Sequence, residues 1–177
     1  MTLFPTAPPA AEAVTLAEAK AHLRVDGADE DALIATLVTV AREHLERETG
    51  RVLISRPFRL CLDDWPADGV IRIDCGPVRT VTGVTDYDDK GDPAAVSLAD
   101  HLRDGEGRPA RLWLRDPTPP GRPLNGIEID FIAGFGASGA DVPDTLKRAM
   151  LTHVAAMFAV RAAGSVAAEA AAMPAGY

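Results

Sequence analysis

Phe131-Ile-Ala-Gly-Phe-Gly-Ala-Ser-Gly-Ala-Asp-Val-Pro-Asp-Thr-Leu-Lys-Arg-Ala-Met-Leu-Thr-His-Val-Ala-Ala-Met-Phe-Ala-Val-Arg161 reads as a strand, a glycine loop and a long amphipathic helix. From Pro143 onward, Leu146, Ala149, Met150, His153, Val154, Met157 and Phe158 recur at three- and four-residue steps, so they share one helical face that must be buried. Pro143 suits a first helical position, where its missing N–H costs nothing, and Asp141 and Asp144 place negative charge at the positive end of the helix dipole. Gly164 is the natural stop. The thirteen residues beyond it, Ser165 to Tyr177, are rich in alanine with the single charge Glu169 and no apolar periodicity. They read as a tail offered to a partner.

Working back toward the N-terminus, residues 1–13 are rich in Pro and Ala and read as an extended arm. Thr15-Leu-Ala-Glu18 fits a capping box that opens a short helix to about Arg24, broken by Asp26-Gly27. Asp29-Glu30-Asp31 supplies cap and dipole partners for a second helix with Leu33, Ile34, Leu37, Val38, Ala41 and Leu45 on one stripe, ended by Gly50. The period then changes to two. Phe58, Leu60 and Leu62 alternate with Arg59, Cys61 and Asp63, and Ile71 and Ile73 alternate with Arg72 and Asp74. After Gly76-Pro77 the stretch Val78–Tyr87 continues as strand, with a bulge at Gly83 and a hairpin expected with the preceding strand. Asp104-Gly-Glu-Gly107 turns into Arg111–Arg115, and Asn125-Gly126 precedes the strand of Ile127, Ile129 and Phe131. Runs of like elements predict an α+β fold: two N-terminal helices, a mainly antiparallel β-region, a long C-terminal helix and an extended tail. The expected organisation is an arm (1–13), a single domain (14–164) and a tail (165–177).

Charge and composition narrow the function. A formal net charge of −8 and a pI near 4.9 exclude a protein that grips nucleic acid by neutralising phosphates. Cys61 and Cys75 lie in predicted strands with no C-x-x-C spacing, which indicates neither zinc nor a disulfide framework. Met1–Pro9 lacks the pattern of a secretory signal and no apolar run reaches membrane-spanning length, so the expectation is a soluble protein made in the cytoplasm.

Three motifs invite sharper readings. Gly134-Phe-Gly136-Ala-Ser-Gly139 matches the dinucleotide fingerprint between a strand and a helix, but Ala140–Pro143 intervene before the helix and Asp141 would repel a pyrophosphate. Asp86-Tyr-Asp88-Asp-Lys90-Gly91 begins like a calcium loop, yet Lys90 holds a ligand position and Ser97 stands where the bidentate Glu belongs. His22, His44, His101 and His153 are scattered, with no nucleophile motif beside them. The sequence therefore nominates no catalytic residue, cofactor site or metal site. Arg103, Arg108, Arg111, Arg115 and Arg122 form one basic stretch, read as a solvated face or a contact to an acidic neighbour.

Thr15-Leu-Ala-Glu-Ala-Lys-Ala-His-Leu-Arg24, then Asp29–Gly50 running into Glu46-Arg-Glu-Thr-Gly-Arg51, a strand region, Gly134-Phe-Gly136 and Val142-Pro-Asp-Thr-Leu-Lys-Arg-Ala149 together resemble the head-tail connector (adaptor) family of long-tailed phages and prophages, over about residues 14–164. The resemblance implies a structural protein: a ring subunit, commonly one of twelve, below the portal protein, extending the DNA channel and docking the next neck, stopper or tail-terminator protein. It implies residence in the neck of a virion or of a gene transfer agent, with DNA passing unread and no membrane involved. It nominates the C-terminal helix and tail for the portal, with Arg161, Ser165, Val166, Glu169, Met173, Pro174 and Tyr177 as candidate contacts. Two other functions stand beside this one: another neck or tail-completion protein of the same particle, and, more distantly, a nucleotide-binding enzyme using the glycine loop 134–139.

Overall fold

A computed structural model describes residues 1–115 and 117–160 of the chain. The fold is α+β, in two compact units that are each assembled from two stretches of chain. A sheet unit comprises Met1–Pro9 and Ser55–Gly134, and a helical unit comprises Ala10–Ile54 and the chain from Phe135 onward.

The sheet unit holds β1 (Thr2–Pro5), β2 (Arg56–Leu62), β3 (Val70–Ile73), β4 (Val78–Tyr87), β5 (Pro93–Ala95), β6 (Leu102–Asp104), β7 (Ala110–Trp113) and β8 (Ile127–Ala133). They form two antiparallel sheets, ordered β1-β2-β8-β4-β5 and β3-β7-β6. The period-two pattern sets the faces: Phe58, Leu60 and Leu62 of β2 lie opposite Phe131, Ile129 and Ile127 of β8, all buried, and the Phe58 and Phe131 rings stack at 5.8 Å. On the other face Arg59 forks onto Asp130 at 2.8 and 2.9 Å and reaches Glu128 at 2.8 Å. Cys61 shares that face but is buried, because Thr2 of β1 and Glu128 of β8 lie across from it on either side. The arm thus contributes a strand: β1 pairs from Thr2↔Cys61 to Pro5↔Phe58 through its main chain, with most of its side chains exposed.

The expected hairpin between the strands on either side of Gly76-Pro77 does not form. β3 pairs with β7 in the small sheet, whereas β4 pairs with β8 and β5 in the large one. Pro77 has no N–H to give a ladder, and the chain changes sheets there. The register does slip between Val81 and Gly83 opposite Phe131 and Asp130, the bulge that Gly83 predicted.

In the helical unit, α1 (Leu16–Leu23) opens with the Thr15–Glu18 capping box. Those bonds, backbone first, hold the Glu18 carboxyl below its ordinary range. The helix ends on Arg24 in the left-handed region (φ 57), two residues before Asp26-Gly27. α2 (Asp31–Thr49) ends on left-handed Gly50, as its sequence demands. Its start differs from expectation: Glu30 makes no side-chain cap, and the Asp31 carboxylate is drawn instead to Lys20 at 2.5 Å. α3 (Asp144–Val160) begins one residue after Pro143, whose carbonyl accepts from the Leu146 and Lys147 N–H groups. The core joins Ile34, Val38, Ala41 and Leu45 of α2 to Met150 and Val154 of α3, with Ala13, Val14, Leu53, Ile54 and Val142 closing it. Each fully buried Val, Leu, Ile or Met side chain among them contributes about 2 kcal/mol, the alanines less. Gly139 is required there, because a Cβ would stand 2.4 Å from the Ala13 carbonyl oxygen.

Candidate docking site

The helix nominated for the partner spends its apolar stripe at home. Met150, His153 and Val154 are buried, and Leu146, Leu151, Met157 and Phe158 pack against the core of the helical unit. Its back presents Asp144, Thr145, Arg148 and Thr152 to solvent. Arg161, Ser165, Val166, Glu169, Met173, Pro174 and Tyr177, the candidate portal contacts, lie outside the described residues.

His153 meets the ring of His44 edge-on, with centroids 4.9 Å apart, and His44 Nδ1 lies 3.0 Å from an Arg47 guanidinium nitrogen. Burial first, and then His44, push the His153 imidazole below its ordinary pKa. This is a packed helix–helix contact. A second polar cluster ties the N-terminal segment to α2. Arg42, 5% exposed, donates to Glu12 at 2.8 Å and Glu46 at 3.2 Å, Thr39 donates to the other Glu12 oxygen, and Glu46 accepts from the Leu53 N–H. Burial disfavours the charged Arg42, and the surrounding carboxylates more than offset it. Sequence reading passed over this latch because Arg42 and Glu46 look like an ordinary charged helix face, and Glu12 is 30 positions away from Arg42.

The glycine loop is closed from within. Asp141 turns its carboxylate back to accept from Ser138 N and Oγ, both at 3.0 Å, and a Cβ on Gly136 would fall 2.2 Å from the Asp141 Cγ. A carboxylate thus occupies the place a phosphate would need. The calcium-like stretch is the β4–β5 turn, where the Asp88 carboxylate accepts from the Lys90 and Asp92 N–H groups. Among the described residues no cluster of His, Cys, Asp and Glu has the makings of a metal site, and no helix is long and apolar enough to cross a membrane.

The basic stretch is dispersed rather than gathered. Arg122 lies over the Tyr87 ring at 5.2 Å, Arg103 donates to the Val78 carbonyl, and Arg111 pairs with Asp104 at 2.6 Å. What the pairing brings together instead is the outer face of β3-β7-β6, where Arg111 and Trp113 of the central strand lie beside Leu102, with Arg115 two residues past the strand's end. The alternation Arg-x-Trp-x-Arg was the available signal.

A comparison with curated proteins returned no match. A family profile described as phage gp6-like head-tail connector protein matches residues 13–84. Solved structures are similar over nearly the whole chain. A protein of the neck of an empty gene transfer agent (GTA) particle, computed with C6 symmetry, is 30% identical with a TM-score of 0.79, covering 94% of this chain and 88% of that one. A protein of the native GTA virion is 30% identical with a TM-score of 0.78, covering 97% and 93%. A protein of the native GTA neck, computed with C12 symmetry, is 30% identical with a TM-score of 0.76, covering 94% and 87%. With residues 13–84 matching the profile and the whole fold shared at this identity, the chain belongs to the phage gp6-like head-tail connector family, whose members are structural components and not enzymes.

Proposed function

We propose that this protein is a ring-forming adaptor in the neck of a phage-like particle, of the gene transfer agent kind, below the portal protein. The observation that carries the reading is the likeness, at 30% identity over 94% of the chain, to a protein of a GTA neck. The symmetry applied to the related necks, C6 and C12, favours a twelve-subunit ring. The connector body is residues 14–164, and the tail from Ser165 to Tyr177, with Arg161 before it, engages the portal. The opposite end of the ring receives the next neck or tail protein. A net charge of −8 suits a conduit through which DNA slides, since a surface that neutralised phosphates would hold it.

The test is co-sedimentation with the portal ring of the same gene cluster, using the full chain and a version ending at Gly164. Binding by the full chain alone supports the adaptor role with its anchor in the tail. Equal binding by both keeps the role and moves the anchor into the folded body. Binding by neither, with capture by a tail-tube protein instead, replaces the adaptor reading with that of a tail-completion protein.

A further inference from the structure

The strand β1 is held to the large sheet mainly by its backbone. The Thr6 N–H donates to the Pro57 carbonyl at 3.0 Å, and the alternation of an antiparallel pair then turns the N–H and C=O groups of Phe4 and Thr2 toward Arg59 and Cys61 of β2. Thr2, Phe4 and Pro5 are exposed and Leu3 is half-buried, so few side-chain contacts add to these bonds. The outer edge of β1 falls to Leu3 and Pro5, and Pro5 has no N–H to offer. A proline at that place keeps a further strand from adding there. A second copy therefore finds no ladder to extend beyond β1, and the strand position open to sharing is that of β1 itself.

The chain that follows β1 is built as a hinge. Glu12 is latched to Arg42 and Thr39, and Ala13 and Val14 are buried in the core of the helical unit. Between that anchor and β1 run Thr6-Ala-Pro-Pro-Ala-Ala11, bent at Thr6–Ala7 and again at Ala10–Ala11, and none of Ala7–Ala11 is held by a hydrogen bond. Pro8 and Pro9 favour an extended path, and the six residues drawn straight reach about 20 Å. Straightening the two bends carries β1 away while the Glu12 latch stays closed. Every bond between β1 and β2 can then be remade on a neighbour, and an exchange passed in the same direction from copy to copy closes into a ring.

We propose that β1 is an exchanged arm: in the assembled ring it pairs with β2 of the neighbouring copy, in the register Thr2↔Cys61 to Pro5↔Phe58. This rests on the ring reading above and names a contact that ties each copy to the next.

The register supplies its own test. Cys61 stands directly opposite Thr2, at the roughly 5.5 Å between Cα atoms that a hydrogen-bonded pair has and a disulfide accepts. The full chain is made with Thr2→Cys and Cys75→Ser, loaded on the portal ring, oxidised with copper phenanthroline, denatured and run on a gel without reductant. A ladder of covalent dimers and higher multiples is expected from the loaded ring, and a cross-linked monomer from the dispersed chain. Adding Cys61→Ala should erase both. A second variant lacking residues 1–9, shown by circular dichroism to be folded, is expected to load the portal ring at least tenfold more weakly. Loaded rings that give only cross-linked monomer overturn the exchange and leave the ring reading standing, as does equal loading by the shortened chain. Absence of any cross-link in either state means that β1 does not lie against Cys61 and overturns the exchange as well. If the unaltered chain neither self-associates nor loads the portal ring, the ring reading fails and takes this contact with it.

Discussion

Arg42 is the residue on which the N-terminal segment depends. Its guanidinium is nearly inaccessible, and its partners Glu12, Glu46 and Glu43 come from two places in the sequence. Removing Arg42 leaves the buried Glu46 carboxylate desolvated without its charge partner, while Glu43 stays in water. Arg42→Met should therefore destabilise the helical unit by about 3 kcal/mol. In a domain of this size that is a melting temperature lower by roughly 6–12 °C, read by calorimetry. His153 gives a pH signature of definite sign. Its folded pKa lies below the ordinary histidine value of about 6.5, so the unfolded chain takes up a proton that the folded chain refuses. Its contribution to stability is fully present above about pH 6.5 and is lost as the pH falls toward the folded value, with a slope of up to about 1.4 kcal/mol per pH unit. Urea unfolding at pH 7.5 and 5.5 should show a smaller loss in His153→Leu than in the unaltered protein. Equal losses in both would remove His153 from the account.

At the scale of elements, β3 shows how the small sheet ends. The Val70 N–H donates to Asp68, the Val70 carbonyl accepts from Arg72, and Arg72 pairs with Asp68 at 2.7 Å, so the edge groups of Val70 are taken by side chains. Closing a strand edge in this way keeps other strands from adding to it. Arg72→Ala with Asp68→Ala should leave the fold intact and raise aggregation, followed by light scattering over days at fixed concentration. The glycine loop makes a different demand. Gly136→Ala drives a methyl into Asp141 and should cost about 1–3 kcal/mol, measured by denaturant unfolding. Much of this was legible beforehand where local chemistry decides: the Thr15–Glu18 box, the Gly50 cap, the Gly83 bulge and the stripe on α3 follow from residue type and spacing alone. The exchange of partners between β3 and β4 was not, because both read as alternating strands and only long-range pairing chooses β7 for one and β8 for the other. The same limit hid the outer face of the small sheet: Val70, Trp113 and Leu102 fall in one row only through the registers of two strand pairs. The Glu12–Arg42 latch escaped for the same reason, its two halves being separated by a whole helix.

The chain as a whole is threaded so that one unit interrupts the other. The helical unit leaves at Ile54 and resumes at Phe135, and these two points are close: the Phe135 N–H donates to the Leu53 carbonyl at 3.3 Å, and Ile54 bridges Gly136 in parallel. Bridged backbones lie about 4.8 Å apart, a gap that two glycines span without strain. The core of the helical unit, from Ala13 to Val154, is drawn wholly from residues on its own two stretches. Residues 55–134 are therefore an insertion in the topological sense, and the helical unit should survive their removal. A chain of residues 10–54 joined by Gly-Gly to residues 135–177 is expected to be helical and to unfold cooperatively on heating. The Arg42→Met change should lower the melting temperature of this excised unit much as it does that of the full chain, because Glu12, Glu43 and Glu46 are all retained. Circular dichroism on the excised unit and the full chain decides the matter. A random-coil spectrum from the excised unit would mean that its core needs the sheet unit to form, and a helical spectrum with a broad, non-cooperative melt would mean that the α2–α3 contact alone does not specify one packing.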